Sequence, residues 1–249
     1  MVINWEGMNI MEYQVEHWLN EDMPKYAEYW NNENEEKKKS WYIVDGNFEK
    51  MEQYLKECQL PYDLLLFSSY MRGTGIDLAA GNLWAASYIT PIVDKLYCLE
   101  YSKHRLLKLG PLVLKHYNVP VDKISLIYGS FYDLHIADNS LDFVFMSQSF
   151  HHADNPDKLL SEIYRVLKPD GVVIIIGEHK VQWLKEAIKM IIGWENKVNE
   201  LGDRHYTYNQ YRYIFERNNF EILEHNQRKV FRSFVLNKKG ASISQPPLE

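Results

Sequence analysis

The sequence predicts an α/β fold with a doubly wound sheet, and three observations carry that prediction. Between residues 75 and 180, short apolar runs alternate with longer amphipathic ones, the pattern of βα units that build a parallel sheet. The clearest amphipathic run, 156–167, puts Leu159, Leu160, Ile163 and Val166 or Leu167 on one face. The run Gly75-Ile76-Asp77-Leu78-Ala79-Ala80-Gly81-Asn82 leads from an apolar strand into small residues and then a helix.

In chain order, residues 1–70 read as a helical cap. Tyr26, Tyr29 and Trp30, then Phe48, Met51, Tyr54 and Leu55, recur at helical spacings, and the polar stretch 31–39 between them reads as a loop or exposed helix end. The core spans 71–240. Its strands are expected at 75–80, 95–102, 124–129, 141–147 and 172–177, with helices filling the gaps. The helix 156–167 starts after Asn155 as a cap and stops at Lys168-Pro169-Asp170-Gly171. An amphipathic run at 181–201 reads as a helical insertion, covering about 181–206, and a helix at 207–218 follows. Two strand-like runs, 220–224 and 230–236, close the core, and 241–249 is a loose tail.

Composition narrows the function. Of 249 residues, 46% are hydrophobic and 25% charged, enough for one sizeable core. The net charge is 28 minus 34, or −6, and Lys37-Lys38-Lys39 follows directly on the acidic run 33–36. Nucleic-acid binders draw most of their affinity from phosphate neutralisation, so the absence of a basic stripe argues against such a substrate. No apolar run has the length of a membrane span, and the first twelve residues lack the layout of a secretory signal, which points to a cytoplasmic protein. Cys58 and Cys98 have no neighbouring ligand spacing and read as buried thiols.

The small residues after the first strand let backbone approach a nucleotide-like ligand, and Glu100 follows Gly81 by nineteen positions at the end of the next strand. A carboxylate there can accept hydrogen bonds from both hydroxyls of a ribose. A nicotinamide cofactor would suit this spacing too, but Gly73 and Gly75 precede the strand instead of following it. Further along come Asn139-Ser140-Leu141-Asp142-Phe143-Val144, Phe150-His151-His152, Asp157-Lys158-Leu159-Leu160 and Arg165-Val166-Leu167-Lys168-Pro169-Asp170-Gly171. This ordered series resembles the class I, Rossmann-like S-adenosylmethionine-dependent methyltransferases, in particular their small-molecule branch, over residues 75–177, with a weaker echo at 207–224.

The resemblance implies a mostly parallel sheet with an antiparallel last strand, and S-adenosylmethionine as cofactor. It implies that Asp77, Ala79 and Gly81 form the loop under the methionine end and that Glu100 binds the ribose. Tyr101 would lie against the adenine, Ser130 and Phe131 at its edge, and Ser147 beneath the methionine part. The sequence departs from the family at Ala79 and Leu83, where glycine is usual, and at Ser130, where aspartate is usual.

Methyl transfer from a sulfonium is an in-line displacement, so holding the acceptor close and in line does much of the work. A hydroxyl or protonated amine also needs to lose a proton, and a histidine suits that task. His152 is the expected base, with His179 the alternative; both lie just past strand ends. His151, His152, Asp154, Glu178 and His179 could be imagined around a metal, but the family motif already accounts for the histidines, and no metal is expected. The expected acceptor is a small molecule with a nucleophilic O, N or C atom, in a pocket walled by the N-terminal segment and residues 181–213. Residues up to about 39 are expected to act as a mobile cover. The competing expectation is a non-catalytic binding or assembly module, which the altered loop motivates.

Overall fold

The computed structural model describes residues 15–19, 32, 37–38, 42–43, 46–180, 204–228 and 230–241. Within them eight strands form one sheet: β1 (Val15–His17), β2 (Thr74–Leu78), β3 (Lys95–Glu100), β4 (Ile124–Tyr128), β5 (Leu141–Ser147), β6 (Leu167–His179), β7 (Phe220–Arg228) and β8 (Phe231–Lys238). Their order is β1-β4-β3-β2-β5-β6-β8-β7. The pairs from β1 to β6 are parallel, and β8 runs antiparallel to both β6 and β7. This is the expected doubly wound sheet with its antiparallel last strand.

The central strands are apolar on both faces, as helices on both sides demand. Along β5 and β6, Phe143, Phe145, Val172, Ile174 and Ile176 join one core, and Val144, Met146, Val173 and Ile175 join the other. The first core packs against α1 (Glu49–Glu57), α2 (Leu60–Leu66), α3 (Ala86–Ile89) and α4 (Gly110–His116). The second packs against α5 (Pro156–Val166) and α6 (Tyr208–Arg217). Gly75 has a spatial reason to be glycine: a Cβ there would come within 2.1 Å of the Phe143 ring.

The α5 boundaries follow from its sequence. The Asn155 side chain accepts from the Lys158 amide at 3.0 Å and a proline opens the first turn, a cap typically worth about 1 kcal/mol. Leu159, Leu160, Ile163 and Val166 are its buried face. On α6, Thr207 and Gln210 form a reciprocal capping box.

Three elements differ from the sequence reading. Residues 15–17, placed in a helical cap, form an edge strand on β4, and the following Trp18 is buried with its amide bonded to the Tyr128 carbonyl. The stretch 129–140 between β4 and β5 is free of helix. Arg165 organises it instead, donating to the Leu134 and Ile136 carbonyls and to Glu162 and Asp138, while Glu162 accepts from the Leu134 amide. Finally, β6 begins at Leu167, so the expected stop signal after α5 leads into the strand without an intervening loop. Tyr26, Tyr29, Trp30, the insertion at 181–201, the tail from 242 and all of the expected cover except residues 15–19, 32 and 37–38 lie outside the described residues.

Candidate active site

Two groups of residues meet at the carboxyl ends of the parallel strands, where open α/β sheets bind ligands. The first is the turn after β2. Ala79 and Leu83 both hold left-handed backbone, with φ of 58° and 68°, and Gly81 has φ of 60°. The two positions where glycine is usual in the family thus keep a glycine-like conformation with side chains attached. A non-glycine residue in this region costs about 1–2 kcal/mol. Leu83 offsets the cost by burying its side chain completely, in space that Gly110 leaves free: a Cβ on Gly110 would lie 2.5 Å from Leu83 Cδ1. From α1, Met51 Sδ accepts from Asn82 Nδ2, so the N-terminal layer touches the loop.

Glu100, at the end of β3, accepts from the Gly81 amide at 2.7 Å and from the Tyr101 and Ser102 amides at 2.9 and 2.7 Å. Burial pushes its carboxyl above the usual range, with Arg105 and these amides pulling the other way. Asp77, buried in β2, is pushed up further, by burial and then by the Glu100 charge. Its Oδ1 has no hydrogen-bond partner, nor has the buried Ser147 Oγ at the end of β5. The Gly129 amide donates to the Glu100 carbonyl, which brings the next residue, Ser130, alongside; Ser130 Oγ accepts from the Tyr132 amide. Tyr101 stacks on Tyr128 with centroids 6.2 Å apart, and Phe131 packs edge-on against Tyr132.

The second group lies beyond β5 and β6. Glu178, fully buried near the end of β6, accepts from the Ser149 and Phe150 amides at 3.0 and 3.1 Å. It also accepts from the Tyr211 hydroxyl at 3.0 Å and from His151 Nδ1 at 2.9 Å. Burial opposes its charge, yet His151, Tyr211 and the nearby His152 together hold its carboxyl below the usual value. Around His151 stand the rings of His152 at 4.2 Å, His205 at 6.0 Å and His179 at 6.1 Å. The two histidines singled out in the sequence therefore flank a third, His151, whose Nδ1 lies on the Glu178 carboxylate. That pair escaped sequence reasoning, although His151 and Glu178 were both in view, because their pairing depends on tertiary placement across 27 positions. Among the described residues, no group of three or more His, Cys, Asp or Glu is arranged to hold a metal ion, and no helix is long and apolar enough to cross a membrane.

Residues 76–175 match the family model described as a methyltransferase domain. That segment runs from β2 into β6, so the chain contains a methyltransferase domain on a Rossmann-like sheet, a kind of domain that takes S-adenosylmethionine as cofactor. Among solved structures, it is similar to a putative sarcosine dimethylglycine methyltransferase from Galdieria sulphuraria, with 20% identity, TM-score 0.58, and 77% of this chain and 88% of that one covered. It is similar to a chain from the complex of the Haloferax volcanii Trm112 methyltransferase activator with a putative methyltransferase, at 14% identity, TM-score 0.60 and coverage of 87% and 99%. It is also similar to DhpI, solved as a complex with SAH, at 13% identity, TM-score 0.60 and coverage of 87% and 96%. At these identities the likeness is one of fold. No curated protein matches the sequence.

The residues present fit this cofactor. Two buried carboxylates with raised pKa values, one with an unpartnered oxygen, favour a ligand that brings hydrogen-bond donors, as ribose hydroxyls and an ammonium group do.

Proposed function

We propose that this methyltransferase acts on a small molecule, at a nucleophilic oxygen, nitrogen or carbon atom, with the His151–Glu178 pair taking the proton that the acceptor loses. The observation that carries this reading is the 2.9 Å contact between His151 Nδ1 and the fully buried Glu178, whose carboxyl is held below its usual value.

S-adenosylmethionine supplies a methyl group already activated toward displacement. Glu100 would hold its ribose, Asp77, Ala79, Gly81 and Ser147 would lie along its methionine end, and Tyr101, Ser130 and Phe131 would border its adenine. A carboxylate accepts only, so the Nδ1 of His151 carries a hydrogen and its Nε2 is left as the basic atom. Glu178 then stabilises the imidazolium that forms, and Tyr211 and two amides keep Glu178 ionised and fixed. His152 and His179, the candidates from sequence, become walls of the acceptor site beside His151. The lack of a basic stripe in the sequence supports a small acceptor over a nucleic acid.

The test is methyl transfer from a cofactor labelled in its methyl group, offered to mixtures of small hydroxyl, amine and carbon acceptors and, separately, to protein and RNA. Label recovered in small molecules is expected. Label recovered only in macromolecules would overturn the substrate class, and turnover lost in His152→Ala but kept in His151→Ala would return the base to His152.

A further inference from the structure

Glu178 reaches His151 only because β6 is irregular just before it. Along β6, Val172, Ile174 and Ile176 face the α1–α4 side, and Val173 and Ile175 face the α5–α6 side. Regular alternation would send residue 178 to the α1–α4 side. Glu178 instead meets Tyr211 of α6 and His151, on the α5–α6 side. The register explains this: Ile175 pairs with Phe234 and Glu178 with Arg232, so Ser233 alone faces Ile176 and Gly177. One extra residue in a strand exchanges the faces of everything after it.

The bulge is held from behind by a buried relay. The Gly177 amide donates to Ser233 Oγ at 3.0 Å, and the Ser233 hydroxyl donates to Asp63 Oδ2 at 2.8 Å. A serine has one hydrogen to give, so giving it to Asp63 turns an oxygen lone pair toward Gly177. The other Asp63 oxygen is occupied by Asn226 Nδ2 and Arg228 Nε, each at 3.0 Å, and both Asp63 and Ser233 are buried. Gly177 itself has φ of 71°, and a Cβ there would fall 2.5 Å from Leu60 Cδ2.

We propose that Ser233 and Asp63 are positioning residues for methyl transfer, fixing the β6 bulge that aims Glu178 at His151. This rests on the reading of His151 and Glu178 as the proton-accepting pair. Asp63 thereby ties α2 to the geometry of the base.

The test uses the full ¹⁵N-labelled chain and two signals: the Nδ1 proton resonance of His151, shifted downfield by its carboxylate bond, and hydrogen exchange at the Gly177 amide. Ser233→Ala should abolish the downfield resonance and speed exchange at Gly177 about tenfold, the factor for loss of one hydrogen bond. S-adenosylhomocysteine affinity should stay unchanged by calorimetry, and Ser233→Thr, which keeps the hydroxyl, should preserve both signals. If Ser233→Ala does not fold, Ser233→Cys, a weak acceptor, makes the same measurement. Both signals unchanged in a folded Ala or Cys variant would overturn the proposal. Glu178→Gln separates the two readings. If it abolishes the resonance while Ser233→Ala keeps it, the positioning role alone fails; if the resonance survives Glu178→Gln, the His151–Glu178 pair fails.

Discussion

The turn proposed for the cofactor and the cluster proposed for the acceptor are built in opposite ways. The turn at 79–83 is contiguous in sequence and tolerates two side chains in left-handed backbone, one of them repaired by a distant glycine, Gly110. The acceptor end draws Glu178, His151, Tyr211 and Ser233 from separate elements, and a single strand irregularity aligns them. Local loops can absorb strain through one compensating contact. A converging site depends instead on the register of the elements that carry it, so small backbone changes far from the chemistry reach it.

The largest expected effect comes from the acceptor end. His151→Ala should lower the rate at saturating cofactor about 100- to 10,000-fold, the usual contribution of a general base, with calorimetric cofactor affinity unchanged; a loss smaller than that of His152→Ala would undo the assignment. Next, on the cofactor side, Glu100→Ala should weaken S-adenosylmethionine binding by about 1.5–3 kcal/mol, the range for hydrogen bonds to a charged group. Unchanged affinity in a folded variant would remove Glu100 from the ribose.

Ala79→Gly should act on stability, raising the denaturation midpoint by the equivalent of about 0.5–1 kcal/mol: relief of the left-handed strain exceeds the added freedom of the unfolded chain. A lower midpoint would show that the turn is unstrained. Leu83→Gly should destabilise despite the same relief, because it empties a buried site next to Gly110.

The smallest effect is a proton balance. The Asp77 and Glu100 carboxyls are raised, so the free protein loses stability as pH climbs from the usual carboxylate range toward their raised values, and both groups ionise late. Donors from the cofactor favour the ionised forms, so binding should release protons and affinity should rise with pH until both groups are ionised in the free protein. Calorimetry in buffers of different ionisation enthalpy reads this directly, and proton uptake would contradict it. Glu178 has the opposite sign: its lowered carboxyl contributes stability above the usual glutamate pKa, and that stability is lost as pH falls through the lower folded value.

The same contrast governs what could be read from the sequence. Strand positions 141–147 and the α5 face were legible from period, and the antiparallel last strand from the resemblance that motifs lying together in the chain carry. The turn after β2 and Glu100 could be named from the sequence because each sits beside a strand end, but the hydrogen bond from the Gly81 amide to Glu100 was not foreseen, since it depends on how the two strands pair. Val15–His17 were misread because three residues are too few to show a period, and the aromatic neighbourhood around them suits a helix. The absence of a helix at 129–140 was hidden because Arg165, far along the chain, satisfies that segment's carbonyls. The contact between His151 and Glu178 was not legible because regular alternation along β6 places residue 178 on the other face, and nothing in the residues themselves announces a bulge except a glycine before Glu178.

The separation of the two halves is tested most directly by methyl transfer from labelled S-adenosylmethionine, measured for the wild type, Glu100→Ala and His151→Ala as cofactor concentration is raised. The account predicts that Glu100→Ala recovers most of its rate at high cofactor while His151→Ala stays slow at every concentration. A Glu100→Ala rate that no amount of cofactor restores, or a His151→Ala rate that cofactor does restore, would contradict it.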